Sequence, residues 1–148
     1  MTYFDLQAHV GTTKHLGGFE TTKALIQLLQ IDASKTVLEV GCGAGATACY
    51  LAKSYSSQVA GVDLRPAMVD LSRERAQKQG VADRVQFRVG DAQDLPFEDG
   101  RFDVAFCESV ATFVEDKQQV ANELARVVKP GGRVGLNEEI WLKPPSPD

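Results

Sequence analysis

Short apolar segments alternate with longer segments of helical periodicity along most of the chain. Five segments are almost continuously apolar and predict β-strands, at residues 36–40, 58–62, 85–89, 102–107 and 133–137. Strands that helices cover on both faces have such sequences. Because these strands alternate with helical segments, the pattern predicts repeated βα units and therefore a parallel sheet.

Four helices are predicted between the strands, at residues 21–30, 46–54, 66–79 and 117–128. Pro66 suits the first turn of the third helix, Gly80 suits its end, and residues 130–132 (Pro-Gly-Gly) predict a turn after the fourth helix. The link from Asp91 to Arg101 contains Pro96 and is too short for a full helix. It is predicted to be a loop with one helical turn.

Apolar side chains form stripes on the first and fourth predicted helices, and we interpret both stripes as core. Their members are Leu25, Leu28, Leu29, Val120, Leu124, Val127 and Val128. A chain of 148 residues suits one domain with a single core. We assign residues 1–143 to this domain and the proline-rich residues 144–148 to an extended tail.

Composition and charge argue against several classes of protein. The net charge of −4, with acidic and basic residues interleaved, provides no basic face for a nucleic-acid backbone. No apolar run approaches the roughly 20 residues that cross a bilayer, and the first residues do not resemble a signal peptide, so a cytoplasmic location is expected. The three cysteines, Cys42, Cys49 and Cys107, lack CxxC spacing, which indicates free thiols rather than disulfides or a metal site.

A glycine-rich loop, residues 41–46, follows the first strand and opens the second helix. Gly41, Gly43 and Gly45 let the backbone turn tightly and approach a ligand closely. The loop alone does not identify the ligand, because residues 41–46 also satisfy the dinucleotide pattern G-x-G-x-x-G/A. Cys42 within the loop is interpreted as a small residue, with a reactive thiol as the alternative.

Two carboxylates next to this loop narrow the choice of ligand. Asp63 follows the second strand, where a carboxylate can accept both hydroxyls of a ribose; the alternative is a helix N-cap. Glu39 lies inside an apolar strand, where an unpaired charge is expensive. It would repel a pyrophosphate and favour an ammonium group, unless backbone donors alone satisfy it.

Asp91 and Ala92 follow the third strand. A carboxylate at this position can accept from an adenine amino group, while the next backbone N–H reaches a ring nitrogen. Aspartate is also common in loops, so the pair indicates an adenine site only in combination with the glycine loop, Glu39 and Asp63. Together the loop, Glu39, Asp63 and Asp91 indicate a ligand with a nucleoside and a cationic part.

These residues, in this order, resemble the class I S-adenosylmethionine-dependent methyltransferases from about Gly17 to Glu139. Residues 37–45 look like the first motif of that family, residues 61–63 like its ribose-binding acid and residues 90–97 like its adenine-binding segment. Residues 102–104 and 128–132 look like its fourth strand and the turn into its fifth. The segment 16–22 is similar to the entry loop of the quinone and phosphoethanolamine methyltransferases.

The resemblance implies a Rossmann-like, doubly wound parallel sheet with strand order 3-2-1-4-5. It places the cofactor S-adenosylmethionine across the carboxyl ends of strands 1 and 2, and the product of the cofactor is S-adenosylhomocysteine. The cofactor-binding residues that it implies are Glu39, Gly41, Cys42, Gly43, Gly45, Asp63, Leu64, Met68, Asp91, Ala92 and Cys107. Met68 is equally consistent with plain core.

Methyl transfer to a small-molecule acceptor needs mainly alignment of the reacting atoms, so a general base is optional. Glu108, at the end of strand 4, is the preferred catalytic candidate, because the resemblance places substrate beyond that strand; the alternatives are that it binds substrate or is simply solvated. Further candidates are Glu138, Glu139, His9 and His15, and Tyr3 and Phe4 are candidates for closing the pocket.

The sheet of the resembled family continues past strand 5, whereas this chain ends about ten residues after it. We therefore expect strands 6 and 7 to be missing and the apolar edge of strand 5 to pair with a second copy of the chain. Two alternatives to a methyltransferase remain. One is a non-catalytic S-adenosylmethionine-binding module, and the other is an NAD-dependent oxidoreductase, which Glu39 and the Asp91-Ala92 pair oppose.

Overall fold

A computed structural model describes residues 17–138 of the chain, and all structural statements concern these residues. Five parallel strands form one sheet in the order β3-β2-β1-β4-β5. The strands are β1 Thr36–Val40, β2 Gln58–Asp63, β3 Val85–Val89, β4 Phe102–Glu108 and β5 Val128–Asn137. The helices are α1 Gly18–Leu29, α2 Ala46–Tyr55, α3 Pro66–Gln79 and α4 Lys117–Val127, with a short 3₁₀ helix at Ala111–Phe113.

The α/β class and the strand order 3-2-1-4-5 are confirmed, and each predicted strand and helix occurs. β5 begins earlier than predicted, because α4 ends at Val127 and Val128 pairs at once with Phe102. The next paired residues are Val104 on β4 and Arg133 on β5, so β5 contains extra residues between its first two pairs with β4. The predicted turn at residues 130–132 is therefore a bulge within the strand, where Gly131 has a φ of 79°.

Helices cover both faces of the sheet. One core cluster joins α1, α2 and α3 to the face that carries Val37 and Phe106, and the other joins α4 to the face that carries Leu38 and Ala105. Of the predicted stripe on α1, Leu25 and Leu29 are buried, but Leu28 is 75% exposed, so its assignment to the core was wrong. Ile26 takes the buried position, since the face of α1 toward β5 passes through residues 22, 25, 26 and 29.

Side-chain alternation along the strands decides which residues share the α1–α3 face. Successive residues of a strand point to opposite faces. Val37 belongs to the α1–α3 cluster, so Glu39, two residues later, lies on the same face. Asp63 lies there as well, four residues after Val59, and so does Glu108, two residues after Phe106. All three carboxylates stand at or near the carboxyl ends of adjacent strands.

The described residues contain neither a membrane-spanning helix nor a cluster of metal-ligating side chains. No helix between residues 17 and 138 is long and apolar enough to cross a membrane. Within the same range, no group of three or more His, Cys, Asp or Glu side chains is arranged to hold a metal ion.

Candidate functional site

The glycine loop passes from β1 to α2 next to the end of β2. The N–H groups of Gly41 and Cys42 both donate to the carbonyl of Val62, at 2.7 and 2.9 Å. Gly41 has a φ of 73°, and a Cβ there would collide with Val110. Gly43 has a φ of 51°, and a Cβ there would have no neighbour among the described residues within 4 Å. The loop is therefore packed at Gly41 and open at Gly43, where backbone can approach a ligand.

Asp63 is tied to this loop. Its Oδ2 accepts from the N–H of Gly43 at 2.9 Å, and its Oδ1 accepts from the N–H of Arg65 at 3.0 Å. The N-cap residue of α3 is Arg65, so Asp63 does not cap that helix. Each carboxylate oxygen keeps a second acceptor position, and the two backbone donors fix the direction in which those positions point.

Glu39 is a buried carboxylate with an unmet oxygen. It is 6% exposed, and its Oε2 has no hydrogen-bond partner among the described residues. Burial raises the pKa of Glu39 well above its usual value, and the nearby Glu108 and Asp63 raise it further, against one backbone donor at Ala48. An unpaired buried polar atom costs about 1–3 kcal/mol, so this position fits a cation or a hydrogen-bond donor that residues 17–138 do not supply.

Glu108 is held in place by two other elements. The hydroxyl of Thr22 on α1 lies 3.2 and 3.1 Å from its two carboxylate oxygens and donates to them. The side-chain amide of Asn137 on β5 donates to Oε2 at 3.0 Å. Thr22 is fully buried, so the carboxylate has a fixed position beside Glu39.

Glu138, one of the candidate bases, instead organises the loop after β4. Its Oε1 accepts from the N–H groups of Val110 and Ala111, each at 3.0 Å, and its Oε2 accepts from the N–H and hydroxyl of Thr112. These bonds hold Val110, which packs against Gly41. Glu138 thus has a structural explanation, while Glu139, His9, His15, Tyr3 and Phe4 lie outside the described residues.

The thiols near the loop are not activated. Cys42 is 5% exposed and Cys107 is fully buried. Burial raises the pKa of both thiols, and for Cys42 the carboxylates of Glu39 and Asp63 raise it further. Because the thiolate is the reactive form, the interpretation of Cys42 as a small loop residue holds and the reactive-thiol alternative does not.

The end of β3 brings Asp91 and Ala92 to the same edge. The N–H of Gly90 donates to the carbonyl of Asp63 at 3.0 Å, which joins the ends of β2 and β3. A tight turn follows, in which Asp94 N–H donates to the carbonyl of Asp91 at 3.1 Å and Gln93 N–H donates to Asp91 Oδ1 at 2.9 Å. Asp91 therefore stands in a fixed turn next to Asp63.

The two apolar residues that were assigned to the cofactor after β2 differ in exposure. Leu64, directly after Asp63, is 66% exposed, whereas Met68 on α3 is 5% exposed. An exposed leucine at the mouth of a polar site offers an apolar contact to a ligand. Met68 is packed within the protein, as a core residue is.

Sequence reasoning missed the polar side chains that support the site. Thr22 and Asn137 hold Glu108, and a polar set on α4 holds the loop after Asp91. Glu123 in that set is 7% exposed. A carboxylate on the apolar side of a helix is the same signal that singled out Glu39 in β1. It was overlooked because α4 was interpreted as core alone.

Comparison with known proteins agrees with this arrangement. A family model described as a methyltransferase domain matches residues 38–136. A probable tocopherol O-methyltransferase of rice, described as chloroplastic, is 42% identical over 100 residues, which are 68% of this chain and 28% of that protein. Phosphoethanolamine N-methyltransferase 3 of Arabidopsis thaliana is 33% identical over 133 residues, which are 89% of this chain and 27% of that protein.

This chain thus spans under a third of each of these two relatives. A solved structure of geranyl diphosphate C-methyltransferase from Streptomyces coelicolor, in complex with geranyl diphosphate, Mg²⁺ and S-adenosylhomocysteine, superimposes with a TM-score of 0.72. It is 27% identical, over 79% of this chain and 43% of that one. The matched residues 38–136 run from β1 to β5 and contain the glycine loop and the carboxylates around it. By sequence and by fold, the chain belongs to the methyltransferase domain family.

Proposed function

We propose that the chain binds S-adenosylmethionine across the carboxyl ends of β1 and β2 and takes part in transfer of its methyl group to a small-molecule acceptor. The observation that carries the proposal is the unmet oxygen of Glu39, buried beside Glu108 and Asp63. Three carboxylates at this position repel a pyrophosphate and attract a cation. The α-ammonium group of S-adenosylmethionine supplies such a cation.

The other parts of the cofactor have matching residues at the same edge. Asp63 is positioned for the ribose hydroxyls, the turn at Asp91 and Ala92 for the adenine, and the open space at Gly43 for close approach of the backbone. The solved relative in complex with S-adenosylhomocysteine supports this choice of cofactor. The names of the two sequence relatives support a small-molecule acceptor, tocopherol in one and phosphoethanolamine in the other.

When bound, S-adenosylmethionine supplies a methyl group that its sulfonium already activates. The chain then has to orient the reactants and exclude water, and alignment alone contributes roughly 7–11 kcal/mol. Glu108 is the side chain that we assign to accept a proton where the acceptor must lose one. Thr22 and Asn137 hold its carboxylate at the end of β4, on the same edge of the sheet as the glycine loop and Asp63.

Calorimetric titration with S-adenosylhomocysteine and, separately, with NAD tests the proposal. We expect saturable binding of S-adenosylhomocysteine and no binding of NAD, because Glu39 and Glu108 oppose a pyrophosphate. Binding of NAD alone would overturn the assignment in favour of the oxidoreductase alternative. Transfer of labelled methyl to a phenolic or phospho-base acceptor then separates a methyltransferase from a module that only binds the cofactor.

We also propose that β5 pairs with a second copy of this chain. β5 is the edge of the sheet within the described residues, and Val134 and Leu136 on it are 40% and 50% exposed. Unpaired apolar edge strands template pairing with another chain. Light scattering over a dilution series is expected to show a dimer that dissociates on dilution, and Leu136→Lys is expected to give a monomer. A wild-type chain that is monomeric at every concentration would contradict the proposal.

A further inference from the structure

The loop between β3 and β4 has no helix of its own, and side chains of α4 provide partners for several of its backbone groups. Residues 90–101 contain no helix, so backbone groups there need partners from elsewhere. Three polar residues of α4, Gln119, Glu123 and Arg126, lie at i, i+4 and i+7, which places them on one face of the helix. We call these three residues the α4 polar stripe.

We propose that the α4 polar stripe positions the turn that begins at Asp91, to which we assign binding of the adenine. Glu123 and Arg126 then act as positioning residues for recognition of the base. This inference rests on the proposed binding of S-adenosylmethionine. It assigns a role in cofactor recognition to a helix on the face of the sheet opposite α1–α3, whose side chains do not form the site itself.

Glu123 anchors the middle of the loop. Its Oε2 accepts from the N–H of Leu95 at 2.7 Å, and Leu95 is 3% exposed. Arg126 donates to both oxygens of Glu123, each at 2.7 Å. The hydrogen bonds from Arg126 lower the pKa of Glu123 despite its burial. An ionised, fully partnered carboxylate is therefore fixed beneath Leu95.

Arg126 and Gln119 hold the loop on either side of that anchor. Arg126 donates to the carbonyls of Leu95 at 3.1 Å and Phe97 at 2.8 Å, and to Asp99 at 2.8 Å. Gln119 donates from its side-chain amide to the carbonyl of Gln93 at 3.0 Å. The stripe thus contacts the backbone at three alternate residues, and the five N–H donors of a planar guanidinium let Arg126 reach several acceptors at once.

The hydrogen bond from Gln119 to Gln93 links α4 to the proposed adenine-binding residues, Asp91 and Ala92. Gln93 belongs to the turn that begins at Asp91, and its own N–H donates to Asp91 Oδ1. The direction of that carboxylate and of the Ala92 N–H depends on where the turn sits. Because the stripe fixes Gln93 and Leu95, a loosened stripe lets the turn shift without unfolding the sheet.

The test compares S-adenosylhomocysteine with its hypoxanthine analogue, S-inosylhomocysteine, which has an oxygen in place of the adenine amino group. The wild-type chain is expected to prefer the adenine compound by at least about tenfold, because Asp91 accepts from the amino group. In Glu123→Gln and Arg126→Lys this preference is expected to fall to about threefold or less, since a misplaced carboxylate no longer distinguishes the two bases.

Arg133→Gln is the matched control. Arg133 also donates to a backbone carbonyl, that of Leu28 at 3.0 Å, but it lies on β5 away from the loop. Its loss is expected to leave the preference unchanged. Arg126→Lys keeps the positive charge beside Glu123, so it is expected to provide a folded variant if Glu123→Gln does not fold.

Hydrogen exchange in the ligand-free chain gives a second measurement. Protection of the Leu95 amide is expected to fall at least about tenfold in Glu123→Gln, while amides of β1 keep theirs. A wild-type chain that binds neither compound contradicts the proposed function. A different outcome contradicts the positioning role of the stripe but not the proposed function. In that outcome the wild-type chain prefers the adenine compound, and the variants lose protection of the Leu95 amide but keep the same preference.

Discussion

Replacement of Glu39 by glutamine is expected to lower the affinity for S-adenosylhomocysteine by about 10–100-fold, while the ligand-free chain becomes no less stable than wild type. A hydrogen bond to a charged group contributes about 1.5–3 kcal/mol, which sets the loss of affinity. In the free chain Glu39 has one unmet buried oxygen and two carboxylate neighbours. Glutamine cannot ionise, so it avoids the cost of placing a charge at this buried position beside two carboxylates, and folding is expected to lose nothing.

The pH dependence of unfolding provides an independent check on Glu39. Because its pKa is raised in the folded chain from the usual 4.5, the folded state retains a proton that the unfolded state has released. Stability from this group is therefore present below about pH 4.5 and lost as the pH rises toward the folded pKa. Urea unfolding between pH 5 and 8 is expected to show this decline in wild type and a smaller one in Glu39→Gln.

Glu123→Gln is the matched comparison for stability, because Glu123 is equally buried but fully partnered. Glutamine keeps one acceptor oxygen but turns the other into an NH2 group that faces an N–H donor, and it removes the charge that partners Arg126, so the free chain is expected to lose about 1–3 kcal/mol. Glu39→Gln is therefore expected not to weaken folding, whereas Glu123→Gln is expected to weaken it. Glu39→Gln with unchanged ligand affinity would remove the observation on which the cofactor assignment rests.

The strands and helices could be predicted from the sequence because apolar runs and helical periodicity are local. The order of the strands could not be predicted from those runs and came from the resemblance to a family. Residues 130–132 show the limit of local signals. Pro-Gly-Gly predicts a turn equally well whether the turn separates a helix from a strand or bulges within a strand that pairs from Val128 onward.

Part of the site was also predictable, for an energetic reason. Glu39 is found from sequence because a carboxylate inside an apolar strand needs a partner, and the structure confirms that it is buried. The supporting contacts were not predictable, because their partners are far apart in the chain. Thr22 meets Glu108 across 86 positions, and Glu123 meets Leu95 across 28. Only the fold brings such pairs together.

Alanine at Gly43 is expected to lower the affinity for S-adenosylhomocysteine by at least tenfold, with a modest loss of stability. The φ of 51° costs an alanine about 1–2 kcal/mol, and no atom of residues 17–138 obstructs the added methyl group. That methyl group enters the open space beside the loop, where we propose that the cofactor lies. Calorimetric titration and urea unfolding of the same variant separate the two effects.

Two other glycines provide the controls for Gly43→Ala. Gly80, at the end of α3, has a φ of 70° and equally open space, so Gly80→Ala is expected to reproduce the loss of stability and leave binding intact. Gly41→Ala places a methyl group against Val110 as well, and is expected to cost about 2–5 kcal/mol of folding free energy. If Gly43→Ala binds the ligand as well as Gly80→Ala does, the open side of the loop is not where the cofactor lies.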